Sequence, residues 1–368
     1  MTNYNTRVSN IPEDVILDIL LRLPTKMLTR FKSVCKNWKA LIESTYFIKQ
    51  HFNHKNNEAR LLIYHYKSDI QTCVFTLYLN TTFSRYMEPN HLQFRNIVSV
   101  IGPINSIFCV IDENLIGEGG GITLWNPSLR EFRPIPAANL SFSLNFFTFP
   151  NVFGFGQNPL NEDYKVVWIR KFRDPRMIHP RMVTLVSLYS LNDDSWRHFK
   201  DTDFGIVIRN LSESKCNTYV NGFYYWLADD VNGNYYILGF DMGNERFVEL
   251  EVPKCVTSLY VNLCLFHDDV AILSLDVQEV GKSIDLWVRK EEGHWVKQLG
   301  VGPFSFWDFS WPFGLWENGS FVMETSFSDL ILLNPYTRQV WNLNARSEYG
   351  YTRIYSYKES LVSIKRRN

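Results

Sequence analysis

"ITLWNPSLREFRPIP", residues 122–136, carries the reading of the fold. Ile122, Thr123, Leu124 and Trp125 are β-branched, apolar or aromatic, types that suit a half-buried pleated surface. Asn126-Pro127 then starts a turn, and Phe132 opens a second strand-like run. The same plan returns as "VSLYSLNDDSWRHF" (186–199), "YILGFDMGNERFVELEVP" (236–253), "IDLWVRKEEGHWVKQL" (284–299) and "LILLNPYTRQVWNL" (330–343). Each predicts a β-hairpin whose turn uses Asn-Pro, Asp-Asp or Gly-Asn chemistry. Aligning Trp125, Tyr189, Phe240, Trp287 and Leu333 gives spacings of 64, 51, 47 and 46 residues.

Those periods resemble one blade of a kelch-like propeller. The earlier "ARLLIYHYK" and "CVFTLYLN" supply one more blade, and about 300 residues at roughly 50 per blade give about six. A ring leaves no long open edge, so many strands can coexist in solution. Ring closure requires "YTRIYSYKESLVSI" (351–364) to pair with "RLLIYHY" (60–66). A pair of β-sandwiches is the alternative arrangement. Two glycine-bearing stretches read as turns: "GEGGG" (117–121), which precedes a strand and so lacks the helix amides of a phosphate loop, and "GFGQNP" (154–159).

Ahead of the strands the pattern is helical. Glu13 and Asp14 follow Pro12 where a helix starts, Pro24 ends the segment, and Ile16, Ile19, Leu20 and Leu23 fall at i, i+3, i+4 and i+7. Leu28 and Phe31 mark a second helix; Val34, Trp38, Leu41 and Ile42 mark a third. A weaker continuation runs through Phe47, Ile48 and Phe52. Some 40 residues cannot internalise so much apolar surface, and exposed apolar surface points to a partner. The expected fold is an α+β multidomain chain: a small three-helix domain over 1–55, then an all-β propeller-like domain of about six blades over 56–368.

"IPEDVILDILLRLP…LTRFKSVCKNWKALI" resembles the F-box. Ile11-Pro12 stands for its Leu-Pro opening, Ile19, Leu20, Leu23 and Pro24 form the I-L-x-x-L-P centre, and Val34, Cys35, Lys36 and Trp38 form the V-C-K-x-W ending. The resemblance implies docking onto a Skp-type adaptor and through it a cullin, with Pro12, Ile16, Leu20, Leu23, Leu28, Val34 and Trp38 divided between interface and core. "LWNPSLREFRPIP", "FGFGQNPLNEDYKVV", "VNGFYYWL" and "ILGFDMGNERFVELEVP" resemble the plant F-box-associated domain, and the combination is similar to the S-locus F-box group. "GPINSIFCV" (102–110) departs from the Gly-x-x-x-Gly-Leu turn of that family, so the start of the second blade is expected to differ in shape.

Composition excludes several classes. Of 38 Lys/Arg and 38 Asp/Glu, residues 1–60 hold ten and five, leaving 28 and 33 for the rest. A net-acidic body is a poor nucleic-acid binder. The six cysteines show no CxxC and no paired spacing, which fits reduced core thiols. No apolar signal core opens the chain, and the uncharged run 134–161 is broken by prolines and asparagines, so neither secretion nor a membrane helix is expected. A cytoplasmic protein without metal, cofactor or catalytic residues is expected, since GxSxG, HExxH and P-loop patterns are absent and His51 and His54 lack a completing ligand set.

The implied function is a non-catalytic substrate receptor of a Skp/cullin/F-box ubiquitin ligase. The S-locus resemblance implies a basic secreted pistil ribonuclease as target, which an acidic body would suit. The alternatives are a general plant F-box receptor for another protein, or a propeller enzyme or lectin with a helical docking arm. Clustered carboxylates in the ring's channel would favour the enzyme. Candidate target contacts lie in three stretches, 139–153, 170–182 and 304–316: Phe146, Phe147, Phe149, Arg173, Arg176, Trp307 and Trp311, with Trp316 in the same last stretch. Aromatics and Arg are common interface anchors.

Overall fold

The computed structural model describes residues 11–67, 72–79, 85–87, 98–116, 120–138, 147–148, 151–173, 182–204, 208, 210–230, 232–256, 260–279, 281–291, 293–305, 311–316, 318–347 and 352–365. Four helices come first: α1 (Glu13–Leu21), α2 (Thr25–Phe31), α3 (Lys36–Glu43) and α4 (Thr45–Asn53). The expected three are therefore four. Ser44 makes the difference: its hydroxyl caps the amide of Phe47 and starts a new helix directly where α3 ends. Phe47, fully buried with Leu20, Leu28 and Ile42, makes α4 part of the headpiece core.

Beyond Arg60 the described strands form six antiparallel sheets of four or five strands each. Their innermost strands touch in the order Arg353–Tyr357, Val98–Ile104, Val152–Gln157, Phe223–Asp229 with its short inner partners, Tyr260–Phe266 and Trp311–Leu315, and the last returns to the first. The sandwich alternative is excluded by this circle; the fold is a six-bladed propeller. Trp125, Tyr189, Phe240, Trp287 and Leu333 all lie on the third strand of their blades. Four of them are buried, whereas Trp287 is half-buried, on the strand face opposite the buried Ile284, Leu286 and Val288.

The turn after that third strand recurs in four blades. Asn126, Ser190, Asp241 and Asn334 each accept hydrogen bonds from turn amides two or three residues on, at 2.9–3.3 Å. Four residues after each, Arg130, Asp194, Glu245 and Arg338 adopt φ of 51–59°. The capping oxygen holds the turn tightly enough to impose a left-handed residue even where it is not glycine.

One reading of glycine changes. Val152–Gln157 is an inner strand, so "GFGQNP" is a turn only from Asn158 onward. A Cβ on Gly154 would stand 2.5 Å from the Trp226 ring, and one on Gly156 2.6 Å from Tyr219; glycine here admits the neighbouring blade. In "GPINSIFCV" the second blade does start unusually. Gly102 at φ 109° accompanies a register shift between Ile101 and Ile104, and Asn105 and Ser106 turn the chain with positive φ. Gly120 and Gly121 lie between the short helix Glu113–Ile116 and the strand Ile122–Asn126, joining two strands as expected.

Closure uses the two ends of the described chain. Arg353–Tyr357 pairs antiparallel with Arg60–Lys67, giving the first blade its inner strand from the last one in sequence. The chain then runs beneath the helices. Leu361 is buried in the headpiece core, beside which Leu129 of the second blade also packs. Asn57 donates to the Glu359 carbonyl (2.8 Å) and accepts from its amide (3.0 Å), while the Glu359 carboxylate takes the Thr25 amide (2.9 Å) and pairs with Arg60 (3.2 Å). Headpiece and ring thus share one core.

Deleting residues 345–368 is expected to uncover the edge of Arg60–Lys67 and to remove Leu361 from the headpiece, giving soluble oligomers or precipitate by light scattering; a monodisperse monomer melting at the parent temperature would contradict ring closure. A second expectation concerns His51, whose Nε2–H donates to the Leu23 carbonyl at 2.9 Å while the buried Nδ1 meets no donor among the described residues. Burial, the largest cause, holds the His51 pKa below its ordinary value. Its contribution is therefore fully present above the unfolded value of about 6.5 and declines as pH falls below it, by at most about 1.4 kcal/mol per pH unit. Urea unfolding at pH 7.5, 6 and 5 should show a shallower acid loss for His51→Gln than for the parent; superimposable profiles would refute it.

Candidate functional site

Strand direction sorts the molecule into two faces. Turns between first and second strands, and between third and fourth, lie on one face, and all other connections lie on the other. The headpiece stands on the former. Lys49 of α4 pairs with Glu162 in the third blade's first turn, Ser106 in the second blade's first turn donates to the Lys358 carbonyl, and Ser128 in its later turn accepts from the Ser360 amide at 2.8 Å. The strand ends at Arg173, Met182, Phe304 and Trp311, and the pair Phe147–Thr148, all belong to the opposite face.

On the headpiece, burial separates residues that helical spacing alone placed together. Leu20 and Leu28 are fully internal, and Ile16, Leu23 and Trp38 pack partly buried against them. Pro12 and Val34 are exposed, Val34 by 60%. The structure adds exposed apolar residues outside the candidate contact set: Ile11, Val15 and Met27, with Ile19, which the spacing had assigned to the inner stripe. Val15 and Ile19 lie one helical turn apart, and Ile19 is 48% exposed. α1 therefore has two apolar stripes, one inward through Ile16 and Leu20 and one outward through Val15 and Ile19. The signal was present in its sequence, since Val15, Ile16, Ile19 and Leu20 cover more of the helix than one core-facing stripe requires. His51 is absorbed into the headpiece core by its bond to Leu23, and His54 caps a turn through the Asn56 amide.

Of the target-face candidates, Phe146, Phe149, Arg176 and Trp307 lie outside the described residues. Backbone pairing sets Phe147 opposite Arg173 and Trp311 opposite Glu324. The stretches containing them also include core residues: Phe153 stacks on Trp168, and Trp316 is buried between the first and last blades. Phe327, which sequence reasoning did not single out, is exposed on the second-to-third strand turn of the last blade, on the same face. Nothing in a lone Phe within a polar turn distinguishes it beforehand.

The centre of the ring is crossed by the chain itself. Between the short strands Asn210–Ser212 and Tyr219–Val220, the Lys215 carbonyl accepts from Ile354 N (3.1 Å) and Asn217 donates to the Pro103 carbonyl (3.3 Å). Cys216 donates to the Leu263 carbonyl, and Glu213 pairs with Arg353 at 3.4 Å. One segment of the fourth blade so touches the first, second and fifth. Burial pulls the Lys215 pKa down to about 8, and raises the Cys216 thiol to about 12. Cys216 is therefore a packed thiol at neutral pH. Among the described residues no three His, Cys, Asp or Glu side chains gather as a metal site, and no helix is long and apolar enough to cross a membrane.

Comparison with known proteins matches this architecture. Residues 8–50 match the F-box domain and residues 104–322 the F-box associated beta propeller domain. An F-box/kelch-repeat protein of Arabidopsis thaliana is 29% identical over 88% of this chain and 88% of its own. A further F-box protein of that plant is 27% identical, covering 67% of this chain and 70% of its own. Among solved structures, the beta-propeller domain of a Pyrococcus furiosus protease is similar at a TM-score of 0.41 and 10% identity over 78% of each chain. With its helices matched by one description and three whole blades and parts of two others spanned by the other, the chain belongs to the F-box associated beta propeller domain family and carries an F-box domain ahead of the ring.

Proposed function

We propose that this chain is the substrate-recognition subunit of a Skp/cullin/F-box ubiquitin ligase. The outward stripe of α1 carries that reading: Val15 and Ile19, with Ile11, Met27 and Val34, present apolar side chains on a headpiece whose core is already filled. A Skp-type adaptor covers them, and a cullin joins through it. The domain division is taken at 55/56, between the end of α4 at Asn53 and the first strand at Arg60. The ring binds a protein target on the face away from the headpiece, where the strands bearing Phe147, Arg173 and Trp311 end; Phe146, Phe149, Arg176 and Trp307, adjoining in sequence, are the other candidates. The chain contributes proximity, while a conjugating enzyme recruited elsewhere supplies the chemistry. It acts in the cytoplasm.

What supports a basic target, such as the ribonuclease that the S-locus resemblance implies, is the excess of 33 acidic over 28 basic residues beyond residue 60. That is a long-range effect and selects a charge class.

Ile19→Asp and Val34→Asp place charge in the proposed adaptor contact without entering the headpiece core. Each should weaken adaptor binding by about 2 kcal/mol or more, roughly 30-fold in Kd, with an unchanged melting temperature. Leu20→Asp should instead unfold the headpiece. Undiminished co-purification of both surface variants with a Skp-type adaptor would overturn the assignment of this stripe. A panel of pistil ribonucleases titrated against the full chain tests the finer target class, and binding by none of them leaves a general receptor.

A further inference from the structure

Among the described residues, Arg170 of the third blade has no carboxylate partner. Arg170 lies on Tyr164–Arg173, three residues from the strand end on the target face. Its guanidinium stacks 3.9 Å from the centre of the Trp168 ring, and Nη2 donates to Ser187 Oγ at 2.6 Å. Nε is buried and meets no acceptor among the described residues. Burial alone pulls the Arg170 pKa down to about 10, with no carboxylate acting against it. Ser187 Oγ also lies 2.8 Å from His198 Nδ1. Arg170 can only donate, so the Ser187 oxygen accepts from it, and the hydroxyl proton is free to go to His198 Nδ1. In that arrangement His198 carries its own proton on Nε2, on a side chain that is exposed. Burial and Arg170 both hold the His198 pKa below its ordinary value, so the imidazole is neutral at neutral pH.

Stacking on Trp168 offsets part of the cost of this charge, but a half-buried guanidinium with an orphaned N–H ordinarily finds an anion. We propose that Arg170, Ser187 and His198 form a carboxylate-binding site, taking an acidic side chain of the protein target. Charge count selects carboxylate over phosphate, since one guanidinium beside a neutral imidazole matches one negative charge and would leave a dianion half-compensated. The fork of Arg suits a planar carboxylate, and the His198 Nε2–H adds a neutral donor. The site complements the long-range preference for a basic target, because it acts at one contact. The identification of the carboxylate as the target's rests on the receptor reading; the existence of the site does not.

The test uses the full chain alone, with no adaptor or target. Acetate and doubly blocked glutamate are titrated at constant ionic strength against chloride, following melting temperature and heat of binding. Both should raise the melting temperature saturably in the millimolar range, and chloride should not. Arg170→Met should abolish the response while melting at or above the parent in chloride buffer, and His198→Ala should weaken the affinity roughly 3- to 10-fold. An unresponsive parent, or an Arg170→Met variant that responds like the parent, would overturn the site. Phosphate binding tenfold tighter than acetate would overturn the carboxylate assignment. Should Arg170→Met fold poorly, His198→Ala decides: affinity equal to the parent's counts against the site. A negative result leaves adaptor binding by the headpiece untouched.

Discussion

The pairing of Arg60–Lys67 with Arg353–Tyr357 is the constraint on which the rest of the molecule depends. An unclosed series of blades would expose the backbone of its first and last strands, which invites association with other chains. Joining them removes both edges. It also brings residues nearly 300 positions apart into one ladder, a contact that is slow to form and becomes favourable only once the intervening blades are placed. The helices precede that ladder directly and Glu359 follows it directly, so closing the ring also delivers the tail to the headpiece. The reciprocal bonds between Asn57 and Glu359 then join segments on either side of the closure.

This coupling divides the molecule's surfaces by function. The headpiece occupies the face of the tight, side-chain-capped turns, and Leu361 and Leu129 fix it there by burial. The described strands leave and re-enter their blades on the other face, where loop length and composition can change without disturbing the blades. Meanwhile the segment around Lys215 to Asn217 crosses the channel and bonds to blades across it. Its presence directs the search for recognition to the rim and to the blades themselves, such as the third, where Arg170 lies over Trp168. A receptor that must hold its target at a set distance from an adaptor benefits from such a rigid connection, because positional freedom between two bound partners lowers their effective concentration.

Much of the architecture was legible in the chain. Asn126-Pro127 and Asn334-Pro335 announced hairpin turns because their side chains satisfy turn amides locally, and the structure uses both asparagines that way. The spacing from Trp125 to Leu333 gave the blade count because each blade repeats one burial problem. The helical periodicity of Ile16, Leu20 and Leu23 gave the headpiece core for the same reason. Where local rules failed, a neighbour from another blade had intervened. Gly154 and Gly156 read as a turn on composition, yet they form a strand because Trp226 and Tyr219 need the space that side chains would fill.

By itself, then, the sequence determined what short-range physics controls: strand against helix, the positions of turns, the number of blades and the kind of headpiece. Tertiary structure alone decided which apolar residues are inside. Ile19 and Leu20 are adjacent and equally apolar, but the closing tail and α4 cover one and leave the other outward. It likewise decided that Trp316 fills the ring while Phe327 faces solvent, and that Arg170, Ser187 and His198, from three different strands, meet beside Trp168. The physical reason is the same in each case: burial and charge pairing are set by partners distant in the chain, and no local pattern encodes which distant partner will arrive.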